Sequence, residues 1–195
     1  MNIYDKKPNW SLDEIIKEID YFSKIYLDRP IKNNNGGMMF SHMFAFYFLL
    51  KKINPEFVIE SGVFKGQGTW LIEKTLPDAK ILSLDIKLNY REYISKKAEY
   101  SNIDFKYHDF ANINPDKTLV IFDDHQNALE RLKESKWFNI KHIIFDDNYP
   151  PNKGDFYSLK KAFKGSGFKI NQNILFERLK GIIIFLSYQV KSLFL

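Results

Sequence analysis

The sequence contains no cysteine. This absence excludes disulfide bonds, thiolate metal sites and cysteine nucleophiles, and it is consistent with a reducing compartment. Long hydrophobic runs are also missing, because the longest, residues 43–50 and 181–186, are far shorter than the roughly 20 apolar residues of a membrane-spanning helix. The first ten residues lack the apolar segment of a signal peptide. We therefore expect a cytoplasmic protein that has no membrane partner.

Arginine is scarce as well, since only 4 of the 29 basic residues are arginine. The formal net charge of +5 is of the sign found in nucleic-acid-binding proteins. The lysines, however, are spread along the chain and form no basic cluster. The charge pattern therefore indicates a solvated basic surface and disfavours a nucleic-acid partner.

What the chain does have is enough apolar material for one sizeable core. Its 195 residues are 45% hydrophobic and 27% charged, which is typical of a globular protein. The 18 phenylalanines and 11 tyrosines predict an aromatic-rich core. We expect a single domain over residues 1–195, made of an N-terminal helical extension (1–55) and a core (56–195). The oligomeric state is left open, and a homo-oligomer is compatible with the sequence.

Two helices are predicted in the N-terminal extension. The residues "SLDE" (11–14) form a capping box, with Ser11 as the N-cap and Glu14 reaching back to it. A loop over 29–39 follows, and the next helix runs through "SHMFAFYFLLKK" with Ser41 as its predicted cap. The part of this loop that reads "NNNGGMMF" is interpreted either as a lid over a ligand or as a plain interhelical connection.

From residue 57 onward, short apolar runs alternate with helical patterns. The runs are at 57–59, 80–84, 103–107, 118–122 and 142–145, and the helical patterns lie at about 67–76, 90–100, 125–136 and 157–164. Such alternation is typical of a parallel sheet covered on both faces. Only ten residues (108–117) separate the third and fourth runs, so the usual helix there is missing or reduced to a turn.

The C-terminal residues differ from this pattern, because they read as two strands joined directly and predict an antiparallel pair at one edge. The sequence as a whole predicts an α/β fold: a Rossmann-like, doubly wound, mostly parallel seven-stranded sheet with an antiparallel C-terminal strand pair and an N-terminal helical extension.

The loop after the first strand, "FVIESGVFKGQGTW" (57–70), combines three glycines with a glutamate. A dinucleotide fingerprint would need a third glycine where Leu71 stands. Glu60 would repel a pyrophosphate, whereas it would attract the ammonium group of an amino acid attached to a sulfonium. Asp85, at the end of the second strand, could accept hydrogen bonds from ribose hydroxyls in either case. A nicotinamide-dependent dehydrogenase therefore stays open as an alternative.

The segment "ESGVFKGQGT" resembles motif I of the class I S-adenosylmethionine-dependent methyltransferases. The resemblance implies S-adenosylmethionine as the cofactor. It also implies that an acidic residue after the third strand, Asp109 in "YHDF", approaches the adenine. The residues that it assigns to cofactor binding are Glu60, Gly62, Phe64, Gly66, Gly68, Thr69, Asp85 and Asp109.

Two acidic pairs follow the fourth and fifth apolar runs, in "FDDHQN" and "FDDNYPP". If these strands are neighbours about 4.8 Å apart, Asp123 and Asp146 meet at one edge of the sheet. Carboxylates that close raise one another's pKa unless a cation neutralises them. Mg²⁺, which prefers oxygen ligands, is the expected neutraliser.

This pair of motifs resembles the metal-dependent O-methyltransferases of the caffeoyl-CoA and catechol type, and those of the macrocin, rhamnosyl and cephalosporin hydroxylase-like group. The resemblance implies that Asp123, Asp146 and Asp147 hold the metal, with Asp124 as the alternative to Asp123. His125 could take a proton from the acceptor, since its unperturbed pKa lies near neutrality. Asp123 and His125 are thus the candidate catalytic residues.

The remaining histidines and the loop after the fifth strand complete the expectations. His42 and His142 are interpreted as structural, and Tyr149 is expected to line an acceptor pocket. The sequence therefore predicts a Mg²⁺-assisted O-methyltransferase whose partner is a small molecule with a hydroxyl group. The alternatives are a methyltransferase acting on RNA or protein and a non-catalytic cofactor-binding module.

Overall fold

The structure is a computed structural model that describes residues 10–150, 152–154 and 157–165. Two helices come first, and strands and helices then alternate. The elements are α1 (Leu12–Leu27), α2 (Phe40–Ile53), β1 (Phe57–Ser61), α3 (Gln67–Thr75), β2 (Lys80–Leu84), β3 (Ala98–Ser101), β4 (Thr118–Phe122), α4 (Ala128–Trp137), β5 (His142–Phe145) and α5 (Leu159–Gly165).

The five described strands form one parallel sheet with the order β3-β2-β1-β4-β5. The order reverses between β1 and β4, and ligands of such sheets bind beyond the carboxyl ends of the strands at this point. Ser61 pairs with Phe122, and Phe122 pairs in turn with Phe145. The residues that follow β1, β4 and β5 therefore meet at one edge. The predicted α/β, Rossmann-like parallel sheet is confirmed, whereas the predicted antiparallel C-terminal pair lies outside the described residues.

Both faces of the sheet are covered, because successive strand residues point to opposite sides. Val58, Ile121 and Ile144 face a core built with α1, α2 and α3. Ile59 and Val120 face a second core that includes residues of α4, α5 and the segment 105–110. The chain is thus a three-layer sandwich of helices, sheet and helices, as the all-apolar strands predict.

The two N-terminal helices form for different reasons. Helix α1 begins where predicted, because the Ser11 hydroxyl accepts a hydrogen bond of 3.1 Å from the Glu14 backbone N–H. The N-cap of helix α2 lies two residues earlier than predicted, at Met39 and not at Ser41. It is buried continuously from Met43 to Leu50. Among the described helices, α2 included, none combines the length and apolar character that crossing a membrane requires.

The prediction of a third strand over 103–107 was wrong. The strand lies at Ala98–Ser101, and residues 105–107 form a 3-10 turn. Phe105 is fully buried, which accounts for the apolar pattern. Asp104 caps the turn by accepting the Lys106 backbone N–H, and Arg131 binds the same carboxylate. A buried turn anchored by one aromatic ring thus gave the signal of a strand.

The predicted helix over 90–100 was also wrong. The backbone N–H groups of Glu92 and Tyr93 both donate 2.9 Å hydrogen bonds to the carbonyl of Lys65 in the glycine loop. These bonds hold the segment across the loop, so it cannot form helical bonds of its own. The prediction that no full helix joins the third and fourth strands is confirmed, because only the 3-10 turn lies between them.

Candidate functional site

The loop after β1 is pressed against its neighbours, and this requires glycine at two positions. Gly62 and Gly66 have φ angles of 98° and 92°, which side chains disfavour. A Cβ atom on Gly62 would clash with the carbonyl oxygen of Asp123, and one on Gly66 would clash with that of Tyr93. The glycine loop therefore lies directly against the residue that follows β4.

Glu60 lies under this loop, and only one of its two carboxylate oxygens has hydrogen-bond partners. The side chain is 2% exposed, and its Oε2 atom accepts hydrogen bonds from the hydroxyls of Thr69 (2.5 Å) and Ser83 (2.7 Å). Its Oε1 atom is buried without a partner beside Gly68, where a Cβ atom would clash with it. Burial raises the pKa of Glu60 to about 7, against the opposing effect of the two hydroxyls. The site thus holds an acceptor that no group of the described residues satisfies.

Asp85 fastens the loop to β2. Its Oδ2 atom accepts the backbone N–H groups of Val63 (2.9 Å) and Phe64 (3.0 Å), and its Oδ1 atom accepts that of Lys87 (2.8 Å). A carboxylate has about four lone-pair sites, so one is left for a ligand hydroxyl. Phe64 has a positive φ of 47° and a partly exposed ring.

Asp109 is separated from the third strand by more of the chain than expected. It follows the 3-10 turn at 105–107 and not β3 directly. Its side chain is exposed, and its Oδ1 atom accepts the Ala111 backbone N–H. The role at the adenine that the resemblance implies for Asp109 stays a prediction.

Beyond β4 and β5, three side chains form a cluster with the spacing of a metal site. One ligand atom from each of Asp123, His125 and Asp147 lies within 4.8 Å of the other two. His125 Nε2 is 3.2 Å from Asp147 Oδ2, and the His125 backbone has a φ of 54° in the left-handed region. Such strain in a non-glycine residue is found often at functional sites.

The electrostatics of the cluster are those of crowded carboxylates. Burial and then the charges of Asp146 and Asp147 raise the pKa of Asp123 well above its usual value. Burial and Asp146 also raise the pKa of Asp147, and nearby histidine charges oppose this. Two carboxyls that resist ionisation side by side are the environment that a bound cation relieves.

Asp146 is hydrogen-bonded to His42, a partner that the sequence did not predict. His42 Nδ1, in the first turns of α2, lies 3.0 Å from both carboxylate oxygens of Asp146. This hydrogen bond raises the pKa of His42, although burial opposes the shift. The apolar pattern of α2 does not indicate which strand end its N-terminal turn faces, so no sequence signal identifies the pair.

Asp124 is turned away from the cluster. Its Oδ2 atom accepts hydrogen bonds from the Ser61 hydroxyl (2.6 Å) and from Arg131 Nε (2.9 Å). Arg131 is 4% exposed and binds two further carboxylates, those of Asp104 and Glu134. Asp124 thus belongs to a buried ion network beneath the loop, and Asp123 is the member of the pair that reaches the cluster.

A cavity of about 160 Å³ opens beside the acidic residues. Its walls come from α2, from β4 and β5, and from the loop after β5, and most of them are apolar. The lining residues are His42, Ala45, Phe46, Ile121, Ile144, Phe145, Asp146, Asp147, Asn148, Tyr149 and Pro150. Tyr149 is therefore placed at a pocket, as expected.

Asn148 presents a second unsatisfied group, at this cavity. Its Oδ1 atom accepts the Lys160 backbone N–H (3.1 Å), and this bond determines which end of the amide is the oxygen. Its Nδ2 atom is buried and has no hydrogen-bond partner. The cavity itself is lined by apolar walls, by the carboxylates of Asp146 and Asp147, and by Asn148.

The residues present fit both groups that the resemblance implies. A sulfonium-linked amino acid suits the unpaired Glu60 oxygen, and the bare backbone at Gly68 leaves no Cβ atom against that carboxylate. Two carboxylates and an imidazole suit a divalent cation, since oxygen ligands favour Mg²⁺ and imidazole favours first-row transition metals.

Comparisons with known proteins show a likeness in structure and none in sequence. No protein-family model matches the sequence, and no curated protein sequence matches it. The ligand-free form of CmcI is 15% identical, with a TM-score of 0.51 over 83% of this chain and 76% of that one. The SAH-bound methyltransferase PaMTH1 from Podospora anserina is 9% identical, with a TM-score of 0.49 over 80% of this chain and 74% of its own.

A further solved structure aligns with nearly the whole chain. It is a Klebsiella pneumoniae protein assigned as an O-methyltransferase, 14% identical, with a TM-score of 0.47 over 98% of this chain and 80% of its own. At 15% identity the likeness to CmcI is one of fold alone, and it agrees with the predicted α/β, Rossmann-like architecture.

Proposed function

We propose that this chain is an S-adenosylmethionine-dependent methyltransferase that methylates a hydroxyl oxygen of a small molecule, assisted by a divalent cation such as Mg²⁺. The observation that carries the proposal is the buried, unpaired Oε1 atom of Glu60 beneath the glycine loop. A buried acceptor without a donor is unfavourable by about 1–3 kcal/mol. A ligand with a positively charged donor removes that penalty, whereas an anionic pyrophosphate would add repulsion.

The cofactor would be held by residues on both sides of the glycine loop. S-adenosylmethionine supplies the methyl group when it is bound. Glu60 would accept its ammonium group, and Asp85 would accept a ribose hydroxyl with the capacity that its three backbone donors leave. Gly68 keeps the space beside Glu60 free of a side chain. These roles extend the assignment made from the motif.

The cation would be held by Asp123 and Asp147, with His125 as the third member of the cluster. A cation bound there would supply Lewis-acid chemistry, which lowers the pKa of an acceptor hydroxyl. Asp146 would act as a neighbour held by His42, or as a further ligand after the pair separates. His125, when it does not bind the cation, would take the hydroxyl proton.

The acceptor would lie in the cavity beside these carboxylates. Its apolar walls, Phe46 and Ile144 among them, favour a ligand with an apolar body, and its volume favours a small one. Holding the hydroxyl oxygen in line with the methyl group would supply much of the catalysis, because methyl transfer is a displacement that depends on alignment.

Isothermal titration of S-adenosylmethionine and S-adenosylhomocysteine, with and without Mg²⁺, tests the proposal. We expect both to bind the wild-type protein, and binding to strengthen or show a second heat with the cation. Cofactor binding that is indifferent to Mg²⁺ would leave the methyltransferase proposal standing without its metal. The absence of binding by either compound would overturn the proposed function.

A further inference from the structure

The loop before α2 is attached to the glycine loop. The backbone N–H of Ile31 donates to the Gln67 side-chain oxygen over 3.3 Å, and the Lys65 ammonium donates to the Asn33 carbonyl over 3.1 Å. These two bonds tie residues 31–33 to two positions within motif I, Lys65 and Gln67. The loop therefore contacts the glycine loop directly. This contact disfavours the interpretation of the loop as a plain connection between two helices.

Further along the same loop, Gly36 and Met38 continue the contact. A Cβ atom on Gly36 would touch the Phe64 ring at 3.8 Å, which is ordinary packing distance. The methyl end of Met38 lies 3.0 Å from the position that a Cβ atom on Gly68 would take. Met38 is itself buried and reaches the glycine beside Glu60. In this conformation Met38 thus covers the part of the site where the unpaired Glu60 oxygen lies.

Asn34 lies at the centre of this loop and has an unsatisfied atom. Its Nδ2 atom donates to the Met38 carbonyl over 3.1 Å, which identifies Oδ1 as the other end of the amide. The side chain is 4% exposed, and Oδ1 is buried without a partner. Among the described residues only three buried side-chain polar atoms lack a partner. Two of them belong to residues beside Met38: the Asn34 amide binds the Met38 carbonyl, and both Glu60 Oε1 and the methyl end of Met38 lie against the position that a Cβ atom on Gly68 would take.

Both of these atoms are acceptors, so they require the same kind of ligand. An ammonium group has three N–H donors and no acceptor, so it suits either oxygen. A carboxylate or phosphate would repel both. The raised pKa of Glu60 is consistent with a carboxylate that lacks a cation in this conformation.

We propose that the loop before α2 forms the second wall of the cofactor site through Asn34 and Met38, and that Asn34 Oδ1, like Glu60 Oε1, accepts a hydrogen bond from the α-ammonium group of the cofactor. Entry of the cofactor requires Met38 to move away from Gly68, so the loop opens and then closes over the amino-acid end. This inference rests on the proposed function, because it concerns the same cofactor. It assigns binding to a residue outside motif I.

The test pairs a change in the protein with a change in the ligand. The affinities of wild type and Asn34→Ala are measured by isothermal titration for S-adenosylhomocysteine, for its analogue without the α-amino group, and for 5′-methylthioadenosine. We expect Asn34→Ala to weaken S-adenosylhomocysteine about tenfold to a hundredfold, the range for a hydrogen bond to a charged group. It should leave the affinities for the other two compounds unchanged.

Asn35→Ala is the matched control, because Asn35 is the neighbouring asparagine and is exposed. It should not change any of the three affinities. Asn34→Asp is the second variant: it keeps an acceptor at this point but loses the donor to Met38, and should still prefer S-adenosylhomocysteine over the deaminated analogue. Thermal melting of the ligand-free variants checks that each is folded.

The outcomes separate this inference from the proposed function. If Asn34→Ala weakens all three ligands equally, Asn34 only supports the loop and the inference is wrong. The inference is also wrong if Asn34→Ala binds S-adenosylhomocysteine as wild type does, and the proposed function then survives. If wild type itself binds none of the three compounds, the proposed function fails and the inference fails with it.

Discussion

The Nδ1 atom of His42 lies 3.0 Å from both carboxylate oxygens of Asp146, although 104 positions separate the two residues. The contact fastens the first turns of α2 to the end of β5. It also directs Asp146 to α2, while the neighbouring Asp147 joins Asp123 and His125. Two adjacent aspartates thus have different partners, and this difference determines which carboxylates a cation can reach.

We expect Asp123→Asn to abolish cation binding and Asp124→Asn to preserve it. Asp123 contributes an oxygen to the cluster, whereas Asp124 is bound by Ser61 and Arg131. Titration of the purified variants with Mn²⁺, followed by electron paramagnetic resonance, measures the bound fraction. Equal loss of Mn²⁺ binding in a folded Asp124→Asn protein would contradict the assignment.

The imidazole in the cluster should affect which cation is preferred. We expect Mn²⁺ to bind more tightly than Mg²⁺, because nitrogen ligands favour first-row transition metals. His125→Gln should reduce this preference by about tenfold, while binding of Mg²⁺ through the two carboxylates changes less. Competition between the two cations in wild type and His125→Gln measures the ratio. An unchanged ratio would mean that His125 does not bind the cation, and would favour its role as proton acceptor.

Two glycines with similar backbone angles should differ in their tolerance of alanine. Gly36 (φ 89°) has room for a Cβ atom, so Gly36→Ala should reduce the free energy of unfolding by only about 1 kcal/mol. Gly62 (φ 98°) has the Asp123 carbonyl where that atom would lie, and Gly62→Ala should reduce it by about 3 kcal/mol or more. Urea unfolding of both variants gives the comparison, and similar losses would argue against the close contact.

The buried guanidinium of Arg131 should be important for stability. Arg131→Met leaves the carboxylates of Asp104, Asp124 and Glu134 without their cation, and we expect a loss of about 3–5 kcal/mol. Lys133→Met, on the same helix, removes an exposed ion pair with Glu130 and should change the stability by less than about 0.5 kcal/mol. Urea unfolding measures both, and a loss no larger for Arg131→Met than for Lys133→Met would show that the network contributes little.

Glu60 should make stability fall as the pH rises. Its pKa is about 7 in the folded protein against 4.5 in the unfolded chain, so the folded state holds the proton more tightly. Its contribution is therefore fully present below about pH 4.5 and is lost as the pH rises to about 7, in total about 3 kcal/mol. Glu60→Gln should remove this slope. Chemical unfolding of both proteins between pH 4.5 and 8 measures the difference, and parallel curves would contradict the shift.

The sequence was sufficient for the features that depend on local pattern. The cap at Ser11 and the turn at Gly62 and Gly66 follow from residue types with narrow conformational preferences, and the structure has them where predicted. The position of β3 could not be predicted in the same way, because buried Phe105 gives the same apolar signal in a turn as in a strand. His42 and Arg131 were missed for another reason: their partners lie on distant elements, so only the assembled sheet brings them together.

Gly62 packs directly against the Asp123 carbonyl. The loop expected to hold the cofactor therefore contacts the strand end expected to hold the cation. A displacement of one backbone is therefore transmitted to the other. If binding of the cofactor or of the cation shifts this contact, the affinities for the cofactor and for the cation are coupled, and thermodynamics requires the coupling to be mutual. A cation that tightens cofactor binding by some factor is itself bound more tightly by that same factor once the cofactor is present.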